Sequence, residues 1–324
     1  MERKMWIGVD VGGTHTRLAL VDQDGNVRNV EKVRTEIERG NERAVSQLVE
    51  GCRRQIEAAQ SFGARVVAVG VGIAGKLDRK GGRILFSPNL PSMRDFPLVE
   101  LLGNAVGLPV VMENDANVFG VGESRAGKAK GVPNWVGLTL GTGVGGCLIF
   151  NGKLWRGDDT GTAGEIGHMI VDPSGPRCAC GQKGCLEAHA SGTALVDGAK
   201  QLHREGKLGG SPLEAKLEDG VLEPADVYAA ARSGDPAARR LFQRMGWALG
   251  LALVNLFTVL GLERAVIGGG VSASWDQFEA PLRESLRRHS TMLNLDRLVV
   301  DRSTLGDLGP LLGAAFVAAE EYPG

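Results

Sequence analysis

The chain has 324 residues, of which 43% are apolar and 23% are charged, and its formal net charge is -1. This length is too great for one hydrophobic core and suits two domains, and the composition excludes a disordered chain. A charge so near zero gives no electrostatic reason to expect nucleic acid or an anionic membrane as a partner.

The amino-terminal stretch MERKMWIGVDVGGT carries basic residues but reaches a Gly-Gly turn after a short apolar run, which is not typical of a signal peptide. We therefore expect a cytoplasmic protein. Its five cysteines are an odd number. Because the cytosol keeps thiols reduced, the cysteines do not predict a disulfide framework.

The first predicted elements, in residues 5–33, form an antiparallel meander. Strand-like runs alternate with a sharp turn at Gly12-Gly13 and a hairpin signal at Asp24-Gly25. Apolar residues at helical spacing then predict a helix over 41–60.

Two buried strands are predicted next, at 64–75 and 108–115, and the second leads into a helix that begins ANVFGVGESRAG. Strand, helix, strand and helix in this order indicate an α/β layer.

Residues 135–157 repeat the opening pattern of strand, glycine turn, strand, Asn-Gly hairpin and strand. Two copies of one unit predict two related domains that face each other across a cleft. The remaining predicted elements are helices at about 193–206, 222–232 and 236–262, a strand with a glycine turn at AVIGGGVS, and a closing helix at about 307–320.

The third of these helices has a start signal, Asp235 followed by Pro236 at the first helical position. Its residues 245–262 carry no charge, which reaches the lower length limit for a membrane span. The segment includes Asn255 and Thr258, and strand character follows at once. We therefore predict a buried interdomain helix.

The two glycine-rich turns, in residues 10–16 and 140–146, are suited to binding an anion. Glycine permits positive φ and has no Cβ, so successive N–H groups can converge on phosphate oxygens. Thr14 and Thr142 add hydroxyl donors, and Asp10 at the end of the first strand could hold Mg²⁺ through water. The alternative is two ordinary tight hairpins in which Asp10 bonds the turn amides, and the duplication favours the anion site.

A second carboxylate, Asp115, lies at a strand end beside Asn114 and directly before a helix. It could be a general base at the carboxyl end of a strand, where open α/β sheets bind ligands. It could equally be only the N-cap of the helix, since Asp and Asn are favoured there. The residues alone leave both possibilities open.

Two stretches rich in glycine carry further polar candidates: Glu165 and His168 in one, Glu187 in the other. A glutamate can accept paired hydrogen bonds from adjacent sugar hydroxyls because a carboxylate offers two oxygens. The alternative is exposed loop charge, which is the usual state of Glu.

Three of the five cysteines lie close together, at 178, 180 and 185, with His168 ten positions upstream. Three thiolates and one imidazole form a closed tetrahedral set that suits a structural Zn²⁺, and unliganded reduced thiols are the alternative. Cys52 and Cys147 fit a helix face and a strand as packing residues.

These motifs together resemble a known family. DVGGTHTRLAL, ENDANVFGVGE, LGTGVGGCLI, GEIGH, CACGQKGCLE and IGGGVS occur in the order seen in the ROK family of sugar kinases and repressors, most closely its bacterial glucokinases. The resemblance runs from about residue 6 to the end, and its cysteine motif is the most specific part. It implies an α/β, two-domain actin-like ATPase (ribonuclease H-like) fold, with nucleotide and sugar in the cleft. The expected domains are 1–118 plus 307–324 and 119–306, the second with a zinc loop at 168–187.

The resemblance also implies roles for residues of this sequence. Asp115 matches the catalytic base, which favours base and cap at once. The sugar-contacting set is Asn89, Asn114, Asp115, Glu165, His168 and Glu187. The nucleotide-binding set is Asp10, Gly12, Gly13, Thr14, Gly141, Thr142 and Gly143, with Gly268, Gly269 and Gly270 on the adenosine side. The zinc ligands are His168, Cys178, Cys180 and Cys185.

A glucokinase that uses MgATP and carries a structural Zn²⁺ is therefore expected, with a hexose and ATP as partners and a homodimer or homotetramer as the assembly. Mannose, fructose, N-acetylmannosamine and N-acetylglucosamine are alternative substrates. A DNA-binding repressor is not expected, since the nine residues before Asp10 leave no room for a helix-turn-helix domain. A sugar-binding module without catalysis is the third alternative.

Overall fold

The computed structural model describes residues 3–157 and 162–324. These residues form two compact units. The first unit comprises Met1–Pro133, Cys147–Gly164 and Thr304–Gly324, and the second comprises Asn134–Gly146 and Glu165–Ser303. The expected boundary at 118 differs from this division, because it cuts through a continuous helix that ends at Ala126.

The first unit is built on a five-stranded sheet. Its strands in chain order are β1 (Arg3–Val11), β2 (His15–Asp22), β3 (Val27–Arg34), β4 (Ala64–Ile73) and β7 (Val110–Asn114), and β5 (Lys76–Asp78) and β6 (Arg83–Phe86) form a separate hairpin. The order across the sheet is β3-β2-β1-β4-β7. The predicted meander supplies its antiparallel half, and β4 and β7 pair in parallel beside β1.

Four helices cover this sheet: α1 (Asn41–Ser61), α2 (Leu98–Val106), α3 (Asp115–Ala126) and α10 (Leu308–Glu321). Alternate strand residues point to opposite faces, so Ile7 packs in the cluster with α1 and α2, whereas Trp6 packs in the cluster with α3 and α10. Both faces are therefore buried, which explains the continuous apolar run of β4.

The second sheet repeats the order of the first. Its strands are β8 (Trp135–Leu140), β9 (Val144–Phe150), β10 (Lys153–Trp155), β11 (Arg264–Gly268) and β12 (Val299–Arg302), arranged as β10-β9-β8-β11-β12. As in the first sheet, a meander is extended by two parallel strands. The duplication predicted from the sequence is confirmed at the level of topology.

The helices of the second unit are α4 (Glu187–Ala190), α5 (Gly192–Arg204), α6 (Pro212–Glu218), α7 (Pro224–Arg232), α8 (Pro236–Leu260) and α9 (Trp275–His289). The helices α2, α6 and α9 lie in stretches for which the sequence pattern predicts no element. In α9 the reason is Pro281, a residue that signals a helix break yet lies inside this helix.

Helix α8 is long and apolar enough, by length and composition alone, to cross a membrane. More than half of its most apolar window is buried, and it packs against α4, α5, α7 and α9 of its own unit. The charge-free segment is thus a core helix of the second unit rather than the interdomain helix that its sequence suggested. It begins as predicted, because the Asp235 side chain accepts a hydrogen bond of 2.7 Å from Ala238 N.

Candidate functional site

The first glycine turn joins β1 to β2 and is closed by a hydrogen bond of 3.0 Å from Gly12 N to His15 O. Asn89 lies beside it, since a Cβ at Gly13 would be 3.5 Å from Asn89 Oδ1. Neither Gly12 nor Gly13 has a positive φ. The glycines therefore serve close approach at this turn, and the part of the sequence argument that invoked positive φ does not apply here.

Asp10 ends β1 opposite Arg17 of β2, and Arg17 Nη1 lies 3.3 Å from Asp10 Oδ2. Burial raises the pKa of Asp10 to about 6; Arg17 opposes the rise and the nearby Asp115 carboxylate adds to it. Arg17 Nη2 also lies 3.1 Å from Asp307 Oδ2, immediately before α10. Two predicted site carboxylates, Asp10 and Asp115, are thus near enough to interact electrostatically.

Sequence reasoning missed Arg17, although the hairpin register carried the signal. The turn Gly12-Gly13 pairs Asp10 with Arg17 across the two strands, and cross-strand partners interact directly. A carboxylate and a guanidinium in paired positions beside an anion-binding turn are a recognisable pattern.

Asp115 and Asn114 lie at the end of β7, as predicted, but their structural roles are exchanged. Asn114 is the N-cap of α3: its Oδ1 accepts hydrogen bonds from Ala116 N at 2.9 Å and Asn117 N at 3.4 Å. Asp115 is already the first helical residue, so the prediction that it caps the helix is wrong. The cap belongs to the residue whose backbone is still extended, which here is Asn114. This leaves the Asp115 carboxylate without a capping role.

A buried carboxylate that the sequence analysis did not single out, Glu113, holds this strand end. Its Oε2 lies 3.1 Å from Arg79 Nε and 2.7 Å from Arg156 Nε, and its Oε1 accepts a bond of 2.9 Å from Asn117 Nδ2. Asn114 N donates to the same Oε1 at 3.0 Å. A charge this deeply buried needs such partners, and the network fixes the backbone that carries the two predicted site residues.

The second glycine turn joins β8 to β9 and closes through a hydrogen bond of 3.0 Å from Gly141 N to Gly143 O. Glu187 lies directly against it: its Oε2 accepts a bond of 3.0 Å from Val144 N, and a Cβ at Gly143 would overlap this oxygen. The structure therefore brings a predicted sugar residue into contact with the predicted phosphate turn. One Glu187 oxygen is engaged by the turn itself, which the paired-hydroxyl argument did not anticipate.

The three glycines assigned to the adenosine side follow β11. Gly268 pairs with Thr139 of β8, and a Cβ at Gly269 would overlap the backbone of Leu140, where the second turn begins. Gly269 has φ of 83°, which favours glycine. Gly270 opens a short 3-10 helix that ends at Ser274. The structure thus brings these glycines next to the second turn.

The predicted metal ligands converge. One donor atom from each of His168, Cys178, Cys180 and Cys185 lies within 4.8 Å of the others. Cys178 Sγ is 3.8 Å from His168 Nδ1, and Cys180 Sγ is 3.7 Å from Cys185 Sγ. A tetrahedron with Zn–S bonds of about 2.3 Å has edges of about 3.8 Å, so the cluster has the spacing that a zinc ion requires.

The cluster is continuous with the predicted sugar residues. Cys178 Sγ lies 3.6 Å from Glu187 Oε1, and His168 Nε2 lies 4.0 Å from Glu165 Oε2. Two antiparallel bridges, Ile170 with Cys185 and Arg177 with Lys183, form the loop that carries the cysteines. A metal held here would orient Glu187 and His168 without lying at the reacting atoms.

The loop is attached to helix α8 through His189, another residue that the sequence analysis missed. Arg244 Nε donates to His189 Nδ1 at 3.0 Å, and Arg244 Nη2 lies 3.7 Å from Asp172 Oδ2. Burial lowers the pKa of His189 to about 4, and Arg244 lowers it further, so the ring is neutral at pH 7. No local sequence signal distinguishes this histidine from an exposed one, since its partner is 55 residues away.

Comparison with known proteins agrees with this geometry. The model of the ROK family matches residues 6–321. Two curated glucokinases are similar over nearly all of both chains: one from Thermotoga maritima at 36% identity, covering 100% of each, and one from Streptomyces coelicolor at 38% identity, covering 98% of each. A solved ROK family glucokinase from Streptomyces griseus, in complex with glucose and AMPPNP, has a TM-score of 0.80 at 37% identity and covers 98% of this chain and 99% of its own.

Proposed function

The chain belongs to the ROK family, has the two-domain α/β fold of its sugar kinases, and we propose that it is an ATP-dependent glucokinase. The observation that carries the proposal is full-length similarity to two glucokinases and to a kinase solved with glucose and AMPPNP. The reaction transfers the γ-phosphoryl group of MgATP to the 6-hydroxyl of glucose, which gives glucose 6-phosphate and ADP.

In this proposal Asp115 is the general base that accepts the proton of the sugar 6-hydroxyl as that oxygen attacks the γ-phosphate. Its position supports the role. It is the first residue of α3 at the carboxyl end of β7, where α/β sheets bind ligands, and Asn114 rather than Asp115 caps the helix. The ion-paired Glu113 beneath it holds the backbone in place.

The nucleotide phosphates are assigned to the two glycine turns, with Gly12, Gly13 and Thr14 in one and Gly141, Thr142 and Gly143 in the other. Asp10 would hold Mg²⁺ through its water ligands, because a carboxylate binds this ion well and repels phosphate. The ion would neutralise developing charge on the transferred group. The glycines of the AVIGGGVS segment, Gly268–Gly270, would contact the adenosine.

The hexose hydroxyls are assigned to Asn89, Asn114, Asp115, Glu165, His168 and Glu187. Of these, Glu187 offers Oε1 to the sugar while Oε2 is bonded to Val144 N. His168 would ligate the metal through Nδ1, nearer to Cys178, which leaves Nε2 on the side of Glu165. We assign the metal as structural Zn²⁺, since a set of three thiolates and one imidazole leaves no open position for chemistry.

A hexose panel tests the proposal. Glucose, mannose, fructose, N-acetylmannosamine and N-acetylglucosamine are each assayed with ATP, with ADP release coupled to a second enzyme and results compared as kcat/KM. We expect the highest value for glucose. A higher value for another sugar would keep the kinase and change its substrate, and no ADP release with any hexose would leave a sugar-binding module without catalysis.

The proposed setting follows from the same assignment. The partners are a hexose and MgATP, the compartment is the cytoplasm, where ATP and reduced thiols are present, and the assembly is a homodimer or homotetramer. Sedimentation equilibrium of the metal-loaded protein measures the last of these, and a monomer at micromolar concentration would contradict it.

A further inference from the structure

Each glycine turn is held from outside by a threonine that belongs to none of the sequence motifs. In the first unit, Thr35 Oγ1 donates to Gly12 O at 2.8 Å and Thr35 N donates to Thr14 O at 2.8 Å. In the second unit, Thr193 Oγ1 donates to Thr142 O at 2.7 Å, and the preceding Gly192 N donates to Gly141 O at 2.8 Å. The two turns are thus fixed by the same combination of one hydroxyl and one backbone amide.

Fixing a carbonyl also fixes the next amide. In a trans peptide the C=O of one residue and the N–H of the next point in opposite directions, and the described chain has no cis peptide bond. The bond to Gly12 O therefore turns Gly13 N–H away from Thr35, and the bond to Thr142 O turns Gly143 N–H away from Thr193. Throughout residues 3–157 and 162–324, neither of these N–H groups donates to a protein acceptor.

The surroundings of both threonines resist rearrangement. Thr35 is 4% exposed, and its hydroxyl also meets Thr16 Oγ1 at 2.9 Å, so a buried two-hydroxyl chain supports the first turn. In the second unit a Cβ at Gly192 would lie 3.0 Å from Pro224 Cγ and 3.1 Å from Gly141 O, so helix α5 approaches the turn as closely as a backbone can. The turns are held in one orientation before any ligand binds.

We propose that Thr35 and Thr193 are positioning residues for the nucleotide phosphates: each holds its glycine turn so that the N–H of Gly13 or Gly143 faces a phosphate oxygen. The inference rests on the proposed function, which assigns the phosphates to these turns. Preorganised donors of this kind bind a ligand without the cost of reorienting their dipoles.

The decisive comparison uses two ligands that share adenosine and differ in phosphate. Dissociation constants of AMP-PNP and adenosine are measured by calorimetry or competition for the parent and for Thr193→Val, which keeps the shape and removes the hydroxyl. We expect the AMP-PNP Kd to rise about three- to tenfold, the effect of one lost hydrogen bond, with the adenosine Kd unchanged. Thr193→Ser should restore the AMP-PNP Kd.

The matched control is Thr258→Val, which removes the hydroxyl of an exposed threonine on α8 and should leave both constants at the parent values. Thr35→Val tests the first turn, with Thr35→Ser as its rescue. If Thr35→Val does not fold, Thr193 still decides, since it is exposed. An AMP-PNP Kd unchanged in Thr193→Val, or a rise shared equally by adenosine, would overturn the inference.

Failure of the inference can be separated from failure of the proposed function, because these affinities require no sugar turnover. A parent protein that binds AMP-PNP but phosphorylates no hexose contradicts the glucokinase assignment and leaves the threonine comparison intact. A parent that phosphorylates glucose while Thr193→Val binds AMP-PNP normally does the reverse.

Discussion

At the scale of single residues, Asp10 combines a functional position with an unfavourable environment. Its folded pKa of about 6 lies above the ordinary value of 3.8, with burial as the main cause. A folded state with the higher pKa binds more protons than the unfolded chain between these values. The contribution of Asp10 to stability is therefore fully present below about pH 4 and is lost as the pH rises through about 6.

Asp10→Asn should accordingly raise the free energy of unfolding at pH 7 by about 1 to 3 kcal/mol, measured without Mg²⁺ and nucleotide. The gain should shrink towards pH 4, where the parent carboxyl is protonated in both states. The same change should lower kcat/KM for ATP at least about tenfold, because a neutral amide does not hold hydrated Mg²⁺. Equal stability at pH 7 would contradict the assigned cost.

Asp115 is predicted to act on the chemical step. Asp115→Asn should reduce kcat by about 100-fold or more while the thermal midpoint stays close to that of the parent, since Asn114 supplies the helix cap. The control is Asn114→Ala, which removes the cap and should cost about 1 kcal/mol of stability. Turnover by Asp115→Asn within tenfold of the parent would show that another group accepts the proton.

At the scale of elements, the loop that carries the metal cluster contains two glycines with positive φ and different surroundings. Gly184 has φ of 72°, and a Cβ there would overlap Asp172 O; Gly181 has φ of 95° and nothing within 4 Å. The first glycine is required by both conformation and space, and the second by conformation alone.

Gly184→Ala should therefore lose stoichiometric zinc and raise the KM for glucose about tenfold, because Glu187 and His168 would no longer be held. Gly181→Ala, as the matched control, should keep its zinc and lose only about 1 kcal/mol of stability to backbone strain. Zinc is measured by atomic emission after gel filtration. Full activity in a zinc-free Gly184→Ala protein would refute the link between metal and sugar.

At the scale of the whole molecule, the last helix completes the first unit. Helix α10 packs on β1, β4 and α3, so residues from both ends of the sequence form one core. The crossing with α3 is so close that a Cβ at Gly313 would overlap Val118 O. A Cβ at Gly309, on the same helix, would make only an ordinary contact of 3.4 Å with Leu305 Cβ.

Gly313→Ala should destabilise the protein by about 2 to 4 kcal/mol, because the helices must separate to admit a methyl group. Gly309→Ala should change stability by no more than about 1 kcal/mol, in either direction, since the contact is tolerable and alanine favours a helix. Urea unfolding followed by circular dichroism measures both. Equal midpoints for the two variants would show that α10 does not pack this closely.

Much of this architecture was predictable from local pattern. Period-2 alternation and paired turn residues identified both meanders, and the Asp235-Pro236 start of α8 was correct because a cap depends on neighbouring residues. The cap at Asn114 was assigned one residue late, since Asp and Asn have nearly equal preference and only the backbone angle separates them. Pro281 concealed α9 because tertiary packing of α8 against α9 outweighs the local cost of proline.

The sequence by itself determined the duplicated units, the phosphate turns, the two carboxylates and the four metal ligands, because glycine, cysteine and acidic residues carry their chemistry in their identity and spacing. Only the tertiary structure decided what lies against them. It placed Arg17 beside Asp10, Glu187 against the second turn, His189 beneath the metal loop, and Thr35 and Thr193 behind the glycines. Several of these contacts join residues far apart in the chain, and a long-range contact has no periodicity or motif from which it can be read.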